Sequence, residues 1–393
     1  MSSDPIVILG ARRTPVGAFQ GALASLTAPQ LGAVAIKAAI ADSGVGAAEI
    51  DEVIMGCVLS AGLGQAPARQ AALGAGMPAS VPTTTVNKMC GSAMRAVMLA
   101  ADQILAGSAR VIVAGGLESM TNAPYLLPKA RAGYRMGHQE VLDHMFFDGL
   151  QSPWDGQLMG CFAEATSAKY EFTRRAQDDF ACESVRRAQA AVASGAFAHE
   201  VAAVTAKTRK GEVVIDKDET PSTLDVSKIP GLKPAFKKDG TVTAASSASI
   251  SDGAAAVVLA RESHAAARGL KPLARILGYA SFAREPEWFT LAPVGAVQKL
   301  LAQLQWRASD VDLYEVNEAF AVVAMAAIKD LGLEPAKVNI NGGACALGHP
   351  IGATGARILT TLIYALKSRG KKRGIASLCI GGGEATAIAI EIT

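Results

Sequence analysis

The stretch NGGACALGHPIGATGAR, Asn341 to Arg357, sets five glycines around a single histidine, His349, with Pro350 directly behind it. Glycine at that density lets backbone approach backbone or ligand closely and takes positive φ where a turn needs it. A proline after the histidine disfavours helix at His349, so the imidazole is expected on a fixed loop just ahead of a helix. The plain alternative is a glycine-rich turn with an incidental histidine. The last residue of the stretch decides the fold. Arg357 starts a helix that ends in a strand and GGGE, and Arg95 starts one that ends in a strand and GGLE.

Other pairs keep the same spacing. Gly32 recurs as Gly295 after 263 residues, Glu49 as Asp310 after 261, and Arg95 as Arg357 after 262. A near-constant offset over three matched helix–strand units predicts two copies of one α/β unit. Between them, from about Thr121 to Ala245, charges are denser and prolines and glycines are scattered. This reads as an insertion holding one amphipathic helix, Arg174–Ser194. The first unit is expected as a strand at Ile6–Leu9, a turn at ARRTPVG, a helix at Pro29–Ser43 closed by Gly44, and a strand at Val53–Val58. Domains are set at 1–120 with 246–273, at 121–245 for the insertion, and at 274–393. Two facing halves offer a junction, and junctions between domains commonly hold sites.

Two cysteines give the junction chemistry. Cys90 lies in VNKMCGSAMRAVMLAADQILAG, where Met94, Val97, Met98, Ala101, Ile104 and Leu105 follow helical spacing and Gly107 stops the helix. It therefore sits at a helix N-terminus. A free thiol is only about 3% ionised at neutral pH. A helix dipole worth about 1 kcal/mol lowers its pKa by under one unit, so a nearby base is needed. Cys379, in IASLCIGGGEATAIAIEI, ends a strand-like apolar run broken by Gly381, Gly382 and Gly383. The plain alternative for each is a small buried hydrophobe.

With these residues in view the sequence resembles the thiolases, specifically the acetyl-CoA acetyltransferase group. The resemblance rests on VNKMCGSAM at Val86–Met94, NEAFA at Asn317–Ala321, GGACALGHPIGATGAR ending at Arg357, and CIGGG at Cys379–Gly383. It runs from ARRTPVGAF to the last strand, and four blocks in the family order are highly specific. It implies an α/β fold of two similar halves stacked as five layers (α-β-α-β-α), with a loop domain inserted in the first.

The resemblance also implies roles. Cys90 takes an acetyl group from acetyl-CoA, and His349 deprotonates Cys90 and then stabilises the departing CoA sulfur. Cys379 moves the proton at the α-carbon of the second acetyl-CoA. His349 with a water held by Asn317 forms one oxyanion hole, and the N–H groups of Cys90 and Gly381 form the other. Leu150, Met159, Ser247, Ala319 and Phe320 carry over as pocket residues. CoA thioesters are substrates, with no tightly bound cofactor, and the assembly is a homotetramer or homodimer. Taken without the family, Asn317 reads as a strand-end cap.

The chain departs from the family in the loop domain, where Leu158-Met159-Gly160 stands for the usual His-Met-Gly. That histidine goes with short acyl substrates. TAASSAS at Thr243–Ser249 replaces TAGNASG, leaving Ala248 where serine is common. The arginine beside the adenine has no clear counterpart near Thr220–Thr223. WFTLAPV at Trp288–Val294 replaces a smaller turn by the acyl pocket, and Cys345 replaces an aliphatic residue.

Composition is compatible with these expectations. The 393 residues are 50% hydrophobic with 5% aromatics and a net charge of +3, which suggests neither nucleic acid nor a membrane surface as partner. Six cysteines without a CxxC pair, in a chain too large to need disulfide staples, suggest reduced thiols and a cytoplasmic location. MSSDPIVILGARRTP reads as neither a signal peptide nor a transit peptide. No uncharged apolar stretch is long enough to span a bilayer. The five histidines show no metal-ligand spacing, and no GxGxxG follows a strand. Besides an acetyl-specific enzyme, the residues allow a broader 3-ketoacyl-CoA thiolase. More remote are a Cys90–His349–Asn317 hydrolase, which leaves Cys379 idle, and a non-catalytic acyl-CoA-binding protein.

Overall fold

The computed structural model describes residues 4–208 and 211–393, so Met1–Ser3, part of the N-terminal reading, lie outside it. In the first half, β1 (Ile6–Arg13) and β2 (Gly17–Ala18) precede α1 (Ala28–Ser43). Thr27 caps α1 by accepting from the Gln30 N–H, and Gly44 ends it at φ 71°. Then come β3 (Glu52–Gly56), α2 (Pro67–Gly74), β4 (Thr83–Val86), α3 (Ser92–Ala106) and β5 (Val111–Ser119).

Between β5 and the next long strand the chain leaves the main sheet. It forms a short ribbon of β6 (Tyr125–Leu126) and β7 (Leu142–Asp143), helices α4 (Met159–Tyr170) and α5 (Arg174–Ser194), and a hairpin of β8 (Val204–Thr208) and β9 (Gly211–Ile215). The main sheet resumes with β10 (Ser251–Arg261), then α6 (Glu262–Ala267) and β11 (Ala274–Ala283). The second half continues with α7 (Ala292–Leu304), β12 (Leu313–Val316), α8 (Ala321–Leu331), α9 (Ala344–Leu347), α10 (Thr354–Ser368), β13 (Arg373–Ile380) and β14 (Glu384–Ile392).

The strand order is β12-β13-β14-β11-β1-β10-β5-β3-β4, with β2 pairing to β10. It mirrors itself about the β1–β11 seam. β12–β13 and β3–β5 are parallel, while β13–β14, β14–β11, β1–β10 and β10–β5 are antiparallel. α3 and α10, and likewise β5 and β13, start 262 residues apart, as the sequence repeat predicts. The polar staples repeat as well. Asp51 accepts the N–H groups of Arg110 and Val111, and Asp312 accepts those of Lys372 and Arg373. GGLE and GGGE, however, are not equivalent: Glu118 lies within β5, whereas Glu384 follows the glycine turn and opens β14.

Strand alternation builds the layers. In β1, Val7 and Leu9 face α1 and α2, while Ile6 and Ile8 face α3 and α10. In β13, Ala376 and Leu378 face α3 and α10, while Ile375 and Cys379 turn to the side of α7 and α8. The layers therefore run α1/α2, the first half's strands, α3/α10, the second half's strands, α7/α8. α10 is buried almost all round, as a helix in the middle of five layers must be. Gly355 admits it there, because a Cβ on Gly355 would lie 2.4 Å from the Met94 nitrogen of α3.

ARRTPVG is not simply a turn, since β1 runs through Arg13. Arg13 is fully buried. Its guanidinium donates to Glu200 at 2.6 Å and to both oxygens of Asp218 at 2.6 and 2.9 Å. Both carboxylates come from the region between β5 and β10, so this triad pins that region to β1. Arg13→Ala leaves two buried carboxylates uncompensated and is expected to cost about 3–5 kcal/mol in urea unfolding. A loss below about 1 kcal/mol would mean that water already screens the triad.

Candidate active site

Cys90 immediately precedes Gly91, the residue before the first turn of α3. The loop around it is closed by its own hydrogen bonds: Lys88 N–H to Ser92 Oγ at 2.8 Å, Gly91 N–H to the Lys88 carbonyl at 3.0 Å, and Ser92 N–H to the Met89 carbonyl at 3.0 Å. Met89 is held at φ 48°, a left-handed conformation that costs about 1–3 kcal/mol for a non-glycine residue. A Cβ on Gly91 would lie 2.4 Å from Ile380, so the loop is flush against the end of β13.

Cys379 is fully buried one residue before the end of β13. Gly382 and Gly383, at φ 96° and 92°, turn the chain there, and the Gly381 N–H is directed at the Cys90 sulfur. An ion pair between Lys88 and Glu384 also ties the two loops together. The second half thus supplies an N–H donor to the thiol of the first.

His349 stands on the loop between α9 and α10, as its proline neighbour predicts. Its Nδ1 lies 2.6 Å from Thr354 Oγ1, which donates to the Pro350 carbonyl at 2.9 Å. A hydroxyl has one proton. With that proton on Pro350, Thr354 accepts from Nδ1–H, and the Nε2 lone pair is left free. Nε2 has no protein partner although His349 is only 7% exposed. Thr354 therefore fixes the tautomer. Sequence reading missed it, although a hydroxyl five residues after a histidine, in the first turn of the next helix, was a usable signal.

Cys90, His349 and Gly381 line one cavity of about 360 Å³, together with Leu150, Met159, Ser247, Ala319 and Phe320. Leu158, Phe236, Phe289 and Met120 complete a wall that is almost wholly apolar. The Ser247 hydroxyl donates to the Thr243 carbonyl at 2.7 Å, so its proton is committed. Asn317 and Cys379 are not among the residues that line this cavity. Cys379 belongs to the apolar cluster that also holds Phe320 and Ala319 and has Met159 against it. Asn317, 1% exposed after β12, leaves both side-chain polar atoms without a protein partner. A strand-end cap would use those atoms, so the cap reading fails and a water-holding site fits. Among the described residues, no group of three His, Cys, Asp or Glu side chains is placed to hold a metal ion.

Electrostatics differ from the sequence expectation. Burial pushes the Cys90 thiol up to about 11, against the pull of the Gly381 and Cys90 N–H groups. Burial, helped by the Arg357 charge, pushes His349 down to about 3. Arg357 is itself buried, 3.8 Å from Glu315. Burial also holds the Cys379 thiol well above its ordinary value. Burial thus favours a neutral thiol and a neutral imidazole in the one cavity. The site can pass a proton from sulfur to Nε2 as a bond forms, in an apolar pocket with fixed N–H donors.

Comparison with known proteins gives the family and the fold. Family models described as the thiolase N-terminal and C-terminal domains match residues 6–263 and 270–392. An acetyl-CoA acetyltransferase of Cupriavidus necator is 49% identical over 390 residues, covering 98% of this chain and 99% of the relative. One from Escherichia coli is 51% identical over 387 residues, with 98% of each chain covered. The crystal structure of the Bacillus anthracis acetyl-CoA acetyltransferase superposes with a TM-score of 0.97 at 43% identity, over 99% of both chains. A thiolase of Ascaris suum in complex with coenzyme A superposes at 0.94 and 44% identity, over 99% of this chain and 100% of that one.

A raised thiol pKa sets the reactivity of Cys90. Iodoacetamide reacts with the thiolate, so labelling of Cys90 is expected to rise about tenfold per pH unit from pH 7 to 9. Peptide mass spectrometry would follow the rate. A plateau already reached at neutral pH would show a preformed thiolate–imidazolium pair instead.

Proposed function

The chain belongs to the thiolase family, and on that premise we propose that it is an acetyl-CoA C-acetyltransferase working through acetyl-Cys90. It interconverts two acetyl-CoA with acetoacetyl-CoA and CoA. The observation that carries the reading is the one cavity lined by Cys90, whose thiol takes the Gly381 N–H, and by His349, whose Nε2 has no protein partner. Cys379, outside the lining, is close enough for the Cys90 charge to act on its thiol.

In thiolysis, Cys90 Sγ attacks the 3-keto carbon while its proton passes to His349 Nε2. The C2–C3 bond breaks, and Cys379 protonates C2, releasing acetyl-CoA and leaving acetyl-Cys90. The proton on His349 then replaces the one lost from Cys379. Incoming CoA gives its thiol proton to His349, attacks the acetyl carbonyl, and expels Cys90, which recovers the proton. Condensation is the reverse. The elevated pKa of Cys379 suits its role as acid. Negative charge on each thioester oxygen is met by fixed donors, each worth about 3–4 kcal/mol of barrier. We assign these donors to the Cys90 and Gly381 N–H groups on one side, and to His349 with a water on Asn317 on the other.

A broader 3-ketoacyl-CoA specificity is the second reading, favoured by one observation: Leu158, Phe236 and Phe289 give the cavity apolar walls, which suit longer acyl chains. The ratio of thiolysis rates on C4 and C8 3-ketoacyl-CoA separates the two. We further place the enzyme in the cytosol as a homotetramer or homodimer. Exposed Tyr125, Leu127, Met136, Val141 and Phe147, grouped on one segment, support self-association.

Incubation with acetyl-CoA alone, followed by intact-mass analysis and assay for acetoacetyl-CoA, tests the reaction class. An acetyl adduct with condensation product is expected. Free acetate without product would indicate a hydrolase. Cys379→Ala is expected to keep the adduct and the exchange of labelled CoA into acetyl-CoA, while losing synthesis and thiolysis by at least about 10²-fold. Cys90→Ala loses every activity. Parallel loss of all activities in a folded Cys379→Ala would remove Cys379 from the acid/base work.

A further inference from the structure

Glu118 is a fully buried carboxylic acid within β5, beside the site but outside the chemistry described above. No cation pairs with it among the described residues; its acceptors are filled by backbone. Oε2 takes the N–H groups of Val58 at 3.1 Å and Gly352 at 2.8 Å, and Oε1 takes that of Leu59 at 3.1 Å. The Cys57 thiol faces Oε1 at 3.8 Å.

These partners join the two halves of the molecule. Val58 and Leu59 follow β3 of the first half, and Gly352 belongs to the second, three residues after His349. The fit there is tight: a Cβ on Gly352 would lie 2.5 Å from Glu118 Oε2, and one on Gly116 would lie 2.0 Å from the Gly352 carbonyl. Val58, Leu59 and Ile351 share one apolar cluster with Met89 and Cys90. The carboxylate thus holds the loop carrying His349 against the wall that carries Cys90.

We propose that Glu118 is a positioning residue of the acyl-transfer reaction, clamping the Pro350–Gly352 backbone so that His349 Nε2 stays in register with the Cys90 thiol. A carboxylate suits this place because it only accepts hydrogen bonds, whereas three N–H groups converge on it. A glutamine would turn its own N–H₂ towards one of those donors and lose part of the clamp. Glu118 also acts on Cys90 by charge. The titratable groups facing it are the thiols of Cys57 and Cys90, and its charge helps to raise both. Burial pushes Glu118 itself up to about 7, so it is ionised over the alkaline range in which Cys90 titrates.

The proposal rests on Cys90 and His349 acting as the acyl-transfer pair. It is tested on the full chain with Glu118→Gln and Glu118→Asp, reading isotopic exchange of CoA into acetyl-CoA and the pH profile of Cys90 alkylation. In Glu118→Gln the exchange rate is expected to fall at least about tenfold, with KM for acetyl-CoA within about twofold. Its alkylation profile moves to lower pH, because a negative charge beside the thiol is gone. In Glu118→Asp the shortened side chain loosens the clamp, so exchange slows while the alkylation profile stays in place. Should Glu118→Gln fail to fold, the Asp variant decides by its exchange rate alone. Exchange within twofold of wild type in a folded variant overturns the proposal. So does a loss that only tracks the folded fraction, with the Glu118→Gln profile unmoved. Failure of the acyl-transfer reading is separate: it appears as absence of the acetyl adduct in the unmutated protein.

Discussion

The close approach of α3 and α10 is the contact on which the rest of the molecule depends. Gly355 lets α10 come against the Met94 backbone, and Gly116 lets the Gly352 carbonyl lie on β5. A methyl group at either place would meet main-chain atoms, which cannot move aside as a side chain can. Because both helices are buried between the strands of the two halves, they have little lateral freedom, and their N-terminal ends are fixed relative to each other. Cys90 precedes one end and His349 the other. Duplication therefore creates a site that neither half contains alone.

Desolvation then sets the character of that site. A helix N-terminus favours the thiolate by about 1 kcal/mol. Each unit of upward shift disfavours it by about 1.4 kcal/mol, and Cys90 rises from 9.0 to about 11. Burial wins, and it wins at His349 and Cys379 too. A neutral pair in an apolar cavity avoids holding an ion pair out of water at rest. In the acyl transfer proposed above, charge appears only as substrate reacts, at a sulfur towards which the Gly381 N–H is already directed.

The same preference for fixed polar partners is seen farther out. Glu118 gathers three N–H groups from two halves, and Arg13 gathers two carboxylates from the inserted region. Thr354 spends its proton on a carbonyl and so fixes the histidine tautomer. Each joins segments distant in sequence or sets a direction that packing alone would leave loose.

The sequence by itself determined the duplication, through the 262-residue spacing between Arg95 and Arg357, and the ends of α1 and α3, through Gly44 and Gly107. It also picked out Cys90, His349 and Gly381, which share a cavity wall, because a cysteine at a helix start, a histidine before proline and a glycine turn are local patterns. The absence of Asn317 and Cys379 from that lining, the tautomer of His349 and the elevated pKa of Cys90 came only from the tertiary structure. So did the burial of Arg13, read from sequence as part of a turn, and the part played by Glu118. Periodicity and turn chemistry act over a few residues and are written in order along the chain. Desolvation and buried hydrogen bonding depend on groups far apart in the chain, 234 residues in the case of Glu118 and Gly352, and exist only once the two halves have packed.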